Sequence, residues 1–158
     1  MNQQFSIIPV QMQMANTLKE LEACNDISEQ FGLCLTTDQM IRLAKTRFRA
    51  LENAGRVEFG EGILKKLIYR FCDSPYLMQN NYEDSLSELQ EIFYYFKNES
   101  MEKLSDDELI DAMKNVFDGK AQGSIEYLSG TSLENLCRII RGGAIEEEIE
   151  IDEEDYES

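Results

Sequence analysis

Cysteine and carboxylate side chains are the candidate catalytic groups in this sequence, which contains no histidine. This absence removes histidine-based triads, histidine general bases and histidine metal ligands. The four thiols, Cys24, Cys34, Cys72 and Cys137, form no C-x-x-C pair, and their separations of 10, 38 and 65 residues do not suit a compact zinc site. A thiolate activated by a neighbouring cation, such as Cys72 near Arg70, is one possible chemistry. The simpler interpretation is four reduced thiols that pack as small apolar side chains.

A loop that resembles part of a calcium-binding EF-hand begins at Asp118. Asp118 and Gly123 match the first ligand and the glycine of that loop. Ligand positions 3, 5 and 12 of the loop depart from the pattern, because they hold Lys120, Gln122 and Ser129. We therefore expect no calcium binding at physiological concentrations. A degenerate EF-hand-like regulatory domain is kept as one alternative function.

No other catalytic pattern is present in the sequence. The segment GRVEFGEG lacks the Lys-Ser/Thr pair of a phosphate-binding loop. Acidic residues are plentiful, but no two lie in an apolar setting that would raise a carboxyl pKa. The sequence thus predicts no catalytic residue, no metal and no cofactor. An enzyme that uses thiol or carboxylate chemistry without a recognisable motif is the other alternative.

The net charge of −16 over 158 residues is unevenly distributed. Residues 142–158 hold nine acidic side chains and no basic one, which leaves a net charge of −7 for residues 1–141. We expect this acidic tail to be disordered, since like charges repel and little apolar surface is available. Nucleic acid is not expected as a partner, because phosphate contacts need clustered Lys and Arg.

Neither membrane insertion nor export is expected. No apolar run approaches the roughly 20 residues that a membrane span needs. The first residues, MNQQFSIIPVQ, lack the basic flank and long apolar core of a signal peptide. We therefore predict a cytoplasmic protein.

One helix and the turn after it are predicted from Leu35 to Phe59. Thr36 and Gln39 have the spacing of a capping box, and Gly55 suits a left-handed helix end. Val57-Glu58-Phe59 then alternates as a short extended segment.

The outer face of this helix carries Arg42, Lys45 and Arg49, with Arg47 and Arg56 nearby. This basic stripe is unusual in an acidic chain, so it could dock an acidic partner or a phosphate. A solvated helix face and a docking site for the acidic tail are the other interpretations.

An aromatic run, Phe93 to Phe96, ends another amphipathic helix. Phe93 and Phe96 lie on its apolar stripe and are expected in the core. Tyr94 and Tyr95 are expected at the border, where a ring packs and a hydroxyl stays in water.

An internal repeat is suggested by LTTDQMIRLAKTRF and LSDDELIDAMKNVF, which align at an offset of 69 residues. Residues 35–72 and 104–140 would then be two helix–loop–strand–helix units sharing a tiny two-stranded sheet, with Val57 opposite Ile125. Two amphipathic helices can also match by capping and period alone. Either way, residues 1–141 predict one mainly α domain, a compact bundle of five to seven helices.

Three segments resemble a small uncharacterised family of clostridial and related Firmicutes proteins. They are GRVEFGEGILKKLIYRFCDSPYL, NYEDSLSELQEIFYYFKNE and LSDDELIDAMKNVFDG, and the resemblance spans most of residues 30–140. It implies a cytosolic bacterial protein and carries no activity or site residues.

The preferred function is therefore a non-enzymatic interaction or adaptor domain that binds another protein through a helical groove or the basic stripe. No membrane or nucleic acid is expected as its partner. The candidate contact residues are Arg42, Lys45, Arg49, Arg56, Tyr94 and Tyr95.

Overall fold

A computed structural model describes residues 10–58 and 62–142 of the chain. Within these ranges the fold is a bundle of six helices of eight residues or more, with no strand. The helices are α1 (Val10–Ser28), α2 (Thr37–Ala54), α3 (Leu64–Phe71), α4 (Tyr82–Glu99), α5 (Asp106–Asp118) and α6 (Leu133–Gly142). The prediction of a mainly α bundle of five to seven helices is confirmed.

Helix α4 lies at the centre of the bundle and packs against α2, α3, α5 and α6. Its side chains Leu86, Leu89, Phe93 and Phe96 are buried in one core cluster that draws on all six helices. Burial of each such side chain contributes about 1.5–3 kcal/mol, so α2, α3, α5 and α6 are held chiefly by their apolar faces against α4, whereas α1 packs against α2 and α3.

Capping boxes begin α2 and α5, as the sequence predicts. The Thr36 hydroxyl accepts a hydrogen bond from the Gln39 backbone at 3.1 Å, and the Gln39 side chain accepts one from the Thr36 backbone at 2.9 Å. Ser105 and Glu108 repeat both bonds at the same distances. Gly55 ends α2 with a φ of 67°, a conformation that costs glycine little.

Helix α1 begins at Val10 and runs unbroken through Asn25-Asp26. Asn25 stays helical because its amide reaches the next connection. It donates to the Leu35 carbonyl at 3.0 Å and accepts from the Leu35 backbone at 2.9 Å. The apolar residues 5–10, FSIIPV, suggest an edge strand or an extended arm; of these only Val10 is described, and it begins α1.

The prediction of a two-stranded sheet that pairs Val57 with Ile125 is wrong, because neither of these residues lies in a strand. Ser124 accepts a hydrogen bond from the Tyr127 backbone at 3.1 Å, which starts a helical turn over Ile125–Tyr127. A π-helical segment, Leu128–Ser132, then leads into α6. The two proposed repeat units therefore diverge after their first helix, and the repeat itself stays a prediction.

The predicted acidic tail lies outside the described residues except for Gly142, the last residue of α6. None of the described helices combines the length and apolar character needed to cross a membrane.

A glutamine in the core predicts how stability should change. Gln90 is 0% exposed, and neither its amide nitrogen nor its amide oxygen has a hydrogen-bond partner among the described residues. An unpaired buried polar group costs about 1–3 kcal/mol, so Gln90→Met should raise the free energy of unfolding by about that amount. Urea denaturation followed by circular dichroism measures the change.

Gln79→Met is the matched control. Gln79 accepts a hydrogen bond from the Cys34 backbone and donates one to the Cys34 carbonyl, each at 2.8 Å. The same substitution there should lower the free energy of unfolding by about 1 kcal/mol. Loss of stability in Gln90→Met would mean that the Gln90 amide is paired in solution.

Candidate interaction surface

The basic stripe lies on the outer face of α2, but its three cations are not equally available. Arg42 donates two hydrogen bonds to the Glu83 carboxylate on α4, at 2.7 and 3.0 Å, and this contact holds the pKa of Glu83 below its usual value. Arg49 lies 3.4 Å from the Thr46 hydroxyl. Lys45 is exposed and forms no ion pair with any described residue. The stripe therefore offers Lys45 and Arg49.

Arg56 belongs to a corner between α2 and α4. It donates to the Asn98 amide oxygen at 2.7 Å and forms an ion pair with Glu102, whose carboxylate raises the pKa of Arg56. The Asn98 amide nitrogen in turn donates to the Ala54 carbonyl at 2.8 Å. These contacts cap the end of α2 against the end of α4.

Tyr94 and Arg47 belong to a buried polar network. Tyr94 is 1% exposed and donates its hydroxyl to Glu58 at 2.6 Å, so the expectation that this hydroxyl lies in water is wrong. Arg47 is 5% exposed and approaches the other Glu58 oxygen at 2.9 Å, with Thr17 beside it at 3.3 Å. Burial is the main cause that raises the pKa of Tyr94, and the Glu58 charge adds to it. Gly62 leaves room for the network, because a Cβ there would lie 2.4 Å from Arg47 Nε.

Both carboxylate oxygens of Asp118, the first position of the EF-hand-like loop, are bound by other side chains of the chain. The buried Lys114 ammonium lies 3.1 Å from one of its oxygens, and the Ser74 hydroxyl donates to the other at 2.6 Å. Lys114 also pairs with Asp73 at 2.7 Å. In the part of the chain that is described, no group of three or more Cys, Asp or Glu side chains could hold a metal ion.

Cys72 and Cys137 do not have the environment of a nucleophile. Cys24, Cys72 and Cys137 are buried, and Cys34 is exposed. Burial raises the pKa of Cys72, and it raises the pKa of Cys137 to about 11, whereas a reactive thiol needs a lowered pKa. Arg70 does not activate Cys72, since its guanidinium donates to Asp111 at 2.7 Å.

Two grooves flank Tyr95 on the exposed side of α4. The first has a volume of about 500 Å³ and lies between α4 and the segment from Ile125 to α6; the second, of about 490 Å³, lies between α4 and the end of α2. Both are lined by Glu91 and Tyr95. We call the two grooves and the ridge between them the Tyr95 surface. The other lining residues used below are Glu88, Ile92, Phe96, Glu99, Ile125, Glu126 and Glu134.

Tyr95 is held in place on this surface while half of it stays exposed. Its ring contacts Phe96 edge to face, with 4.8 Å between the ring centroids, and its exposed fraction is 50%. The charge of Glu99 is the largest cause that raises the pKa of Tyr95, followed by partial burial and then the charge of Glu134. Arg141 acts in the opposite direction, since it pairs with Glu99 at 3.0 Å. The carboxylates around the Tyr95 hydroxyl therefore make the local electrostatic potential negative.

The acidic part of this surface was not recognised from the sequence. The exposed residues of α4 recur at spacings of four and three, opposite the apolar stripe, and they are Asp84, Glu88, Glu91, Tyr95 and Asn98. That period is visible in the sequence and could have separated Tyr95 from Tyr94. The grooves themselves depend on residues distant in the chain, so no local pattern reveals them.

The fold and surface define a helical-bundle protein with an aromatic, acid-lined face on its central helix. The chain belongs to a family of unknown function (DUF6323), whose model matches residues 20–146. No curated protein and no protein of solved structure is significantly similar to it. The expected resemblance to an uncharacterised family is thus confirmed, whereas its restriction to Firmicutes stays a prediction.

The charges around Tyr95 predict a change in its titration. The double substitution Glu99→Gln and Glu134→Gln should lower the pKa of Tyr95, because both carboxylates disfavour the phenolate. The difference in tyrosinate absorbance between each protein and its Tyr95→Phe derivative measures this pKa. Glu22→Gln, on the exposed face of α1, is the control and should leave the pKa of Tyr95 unchanged. An unmoved pKa in the double variant would show that the two carboxylates do not set the local field.

Proposed function

We propose that this chain is a non-enzymatic protein-interaction module that docks its partner on the Tyr95 surface. One observation carries the proposal: Tyr95, half exposed and packed edge to face on Phe96, stands between two grooves of about 500 and 490 Å³. Exposed aromatic side chains beside concave surface supply much of the energy of protein interfaces, because they bury a large area at small entropic cost.

The other functions have less support. Burial raises the pKa of the Cys72 and Cys137 thiols, which disfavours thiol chemistry. Lys114 and Ser74 take both oxygens of Asp118, which disfavours an EF-hand-like calcium site. An adaptor role requires neither chemistry.

The basic stripe is a second candidate surface for the same function. Lys45 and Arg49 are exposed, but neither lines the two grooves beside Tyr95. Arg42 and Arg56 already bind carboxylates of the same chain. We therefore rank the stripe below the Tyr95 surface, and the experiment below distinguishes them.

The proposal places the protein in the cytosol of a Firmicutes bacterium. The resemblance of three segments to clostridial proteins supports this placement, and so do four cysteines that form no disulfide. Immunodetection in fractionated cells should find the protein with the cytosolic enzymes. Recovery with the membrane or the medium would contradict the placement.

Photo-crosslinking tests the docking site. A photoreactive phenylalanine analogue replaces Tyr95 in the full chain, which is produced in its native cells and irradiated. Tyr69 is the matched control, since it is also a helical tyrosine and its exposed fraction is 45%. Lys45 receives the same analogue to sample the basic stripe.

We expect a covalent adduct with one defined protein from position 95, and weak labelling from positions 69 and 45. Mass spectrometry then identifies the partner residues at the crosslink. An adduct formed from position 45 alone would move the docking site to the basic stripe. No specific adduct from either position would overturn the proposed function.

A further inference from the structure

The Tyr95 surface combines unpaired negative charge with an apolar floor. Ile92 and Phe96 are buried beneath it, and Ile125 is half-buried at its edge. Among the described residues no cation pairs with four of the carboxylates that line the grooves, namely Glu88, Glu91, Glu126 and Glu134. The fifth lining carboxylate, Glu99, forms an ion pair with Arg141.

The geometry points to a cationic amphipathic segment of a partner protein, rich in Lys or Arg, as the occupant of the Tyr95 surface. This inference rests on the proposed function and adds the chemistry of the partner. Apolar side chains of the segment would contact Ile92 and Ile125, and its cations would meet the carboxylates around them. One cation would lie over the exposed face of the Tyr95 ring, an attraction that grows as water is excluded.

The spacing of the acidic residues favours a segment over a single ion. Glu88, Glu91 and Tyr95 occupy successive turns of α4, separated along the helix axis by about 4.5 and about 6 Å. No three acidic side chains among those described converge on one metal position. Charges distributed along a ridge match cations distributed along a peptide, and each exposed pair adds a modest attraction.

Other occupants fit the charge less well. Nucleic acid and the acidic residues 142–158 carry the same sign as the grooves, so both would be repelled. A second copy could offer Lys45 and Arg49, but two chains of net charge −16 repel each other at long range.

Peptide titration tests the inference on the full chain. The probe is an acetylated helical peptide of roughly 14 residues, about four turns, with Leu on one face and Lys on the other. One control peptide carries Glu in place of every Lys, and another carries Ser in place of every Leu. Isothermal calorimetry gives each dissociation constant, and nuclear magnetic resonance shift changes locate the bound peptide.

The Leu/Lys peptide should bind at the Tyr95 surface, whereas both control peptides should bind far more weakly. Glu88→Gln with Glu91→Gln should raise its dissociation constant about tenfold, and Tyr95→Leu about threefold. Glu22→Gln with Asp26→Asn removes two negative charges from the exposed face of α1 and should change the dissociation constant by less than about twofold.

Equal weakening by both double variants would overturn the inference, because it would indicate general attraction to an acidic protein. Binding of spermine as tight as that of the peptide would also overturn it, in favour of a free polyamine. A concentration-dependent dimer in sedimentation, abolished by Glu88→Gln with Glu91→Gln, would assign the surface to a second copy. The proposed function fails separately, when neither position 95 nor position 45 crosslinks to a protein. A crosslinked partner segment without Lys or Arg would retain the function and refute the inference.

Discussion

Burial of α4 among four other helices is the constraint on which the rest of the structure depends. With α2, α3, α5 and α6 packed around it, α4 keeps only a narrow row of side chains in water. That row contains three acids, Asp84, Glu88 and Glu91, and one aromatic residue, Tyr95. Helix α4 is a cylinder about 10 Å across, and the helices packed on either side of it do not touch each other above its exposed row. The gaps beside that row are the two grooves. The packing that makes the core thus also makes the candidate surface.

The cations of this acidic chain are largely used between helices. Arg42 joins α2 to α4, Lys66 and Arg70 join α3 to α5, and Arg141 joins α6 to α4. Each exposed pair contributes only about 0–1 kcal/mol, so these contacts fix the alignment of helices more than their stability. Arg47 differs, because its side chain is buried with Glu58, and a buried charge that loses its partner costs about 3–5 kcal/mol. This use of cations between helices leaves Glu88 and Glu91 in that row without an ion-pair partner among the described residues.

Features determined by neighbouring residues could be predicted from the sequence, and features determined by tertiary contacts could not. The capping boxes at Thr36 and Ser105 need only four consecutive residues, and their hydrogen bonds form as expected. Tyr94 and Tyr95 differ by about 100° around α4, and the local period of exposed residues could place Tyr95 outside, whereas the pairing of the Tyr94 hydroxyl with Glu58, 36 residues away, depends on the fold. The sheet prediction failed at Ser124, where one side-chain cap favours a helical turn over an extended strand.

Charge reversal between the two aligned helices also has an internal explanation. Arg42 in α2 aligns with Asp111 in α5, which suggests related scaffolds with diverged outer surfaces. Arg42 faces Glu83, whereas Asp111 faces Arg70, so each sign suits the neighbouring helix. The reversal therefore does not require an external partner at the basic stripe. Among the described residues, the carboxylates that line the grooves beside Tyr95 form no such ion pair, apart from Glu99, and this difference favours α4 over the basic stripe as the docking site.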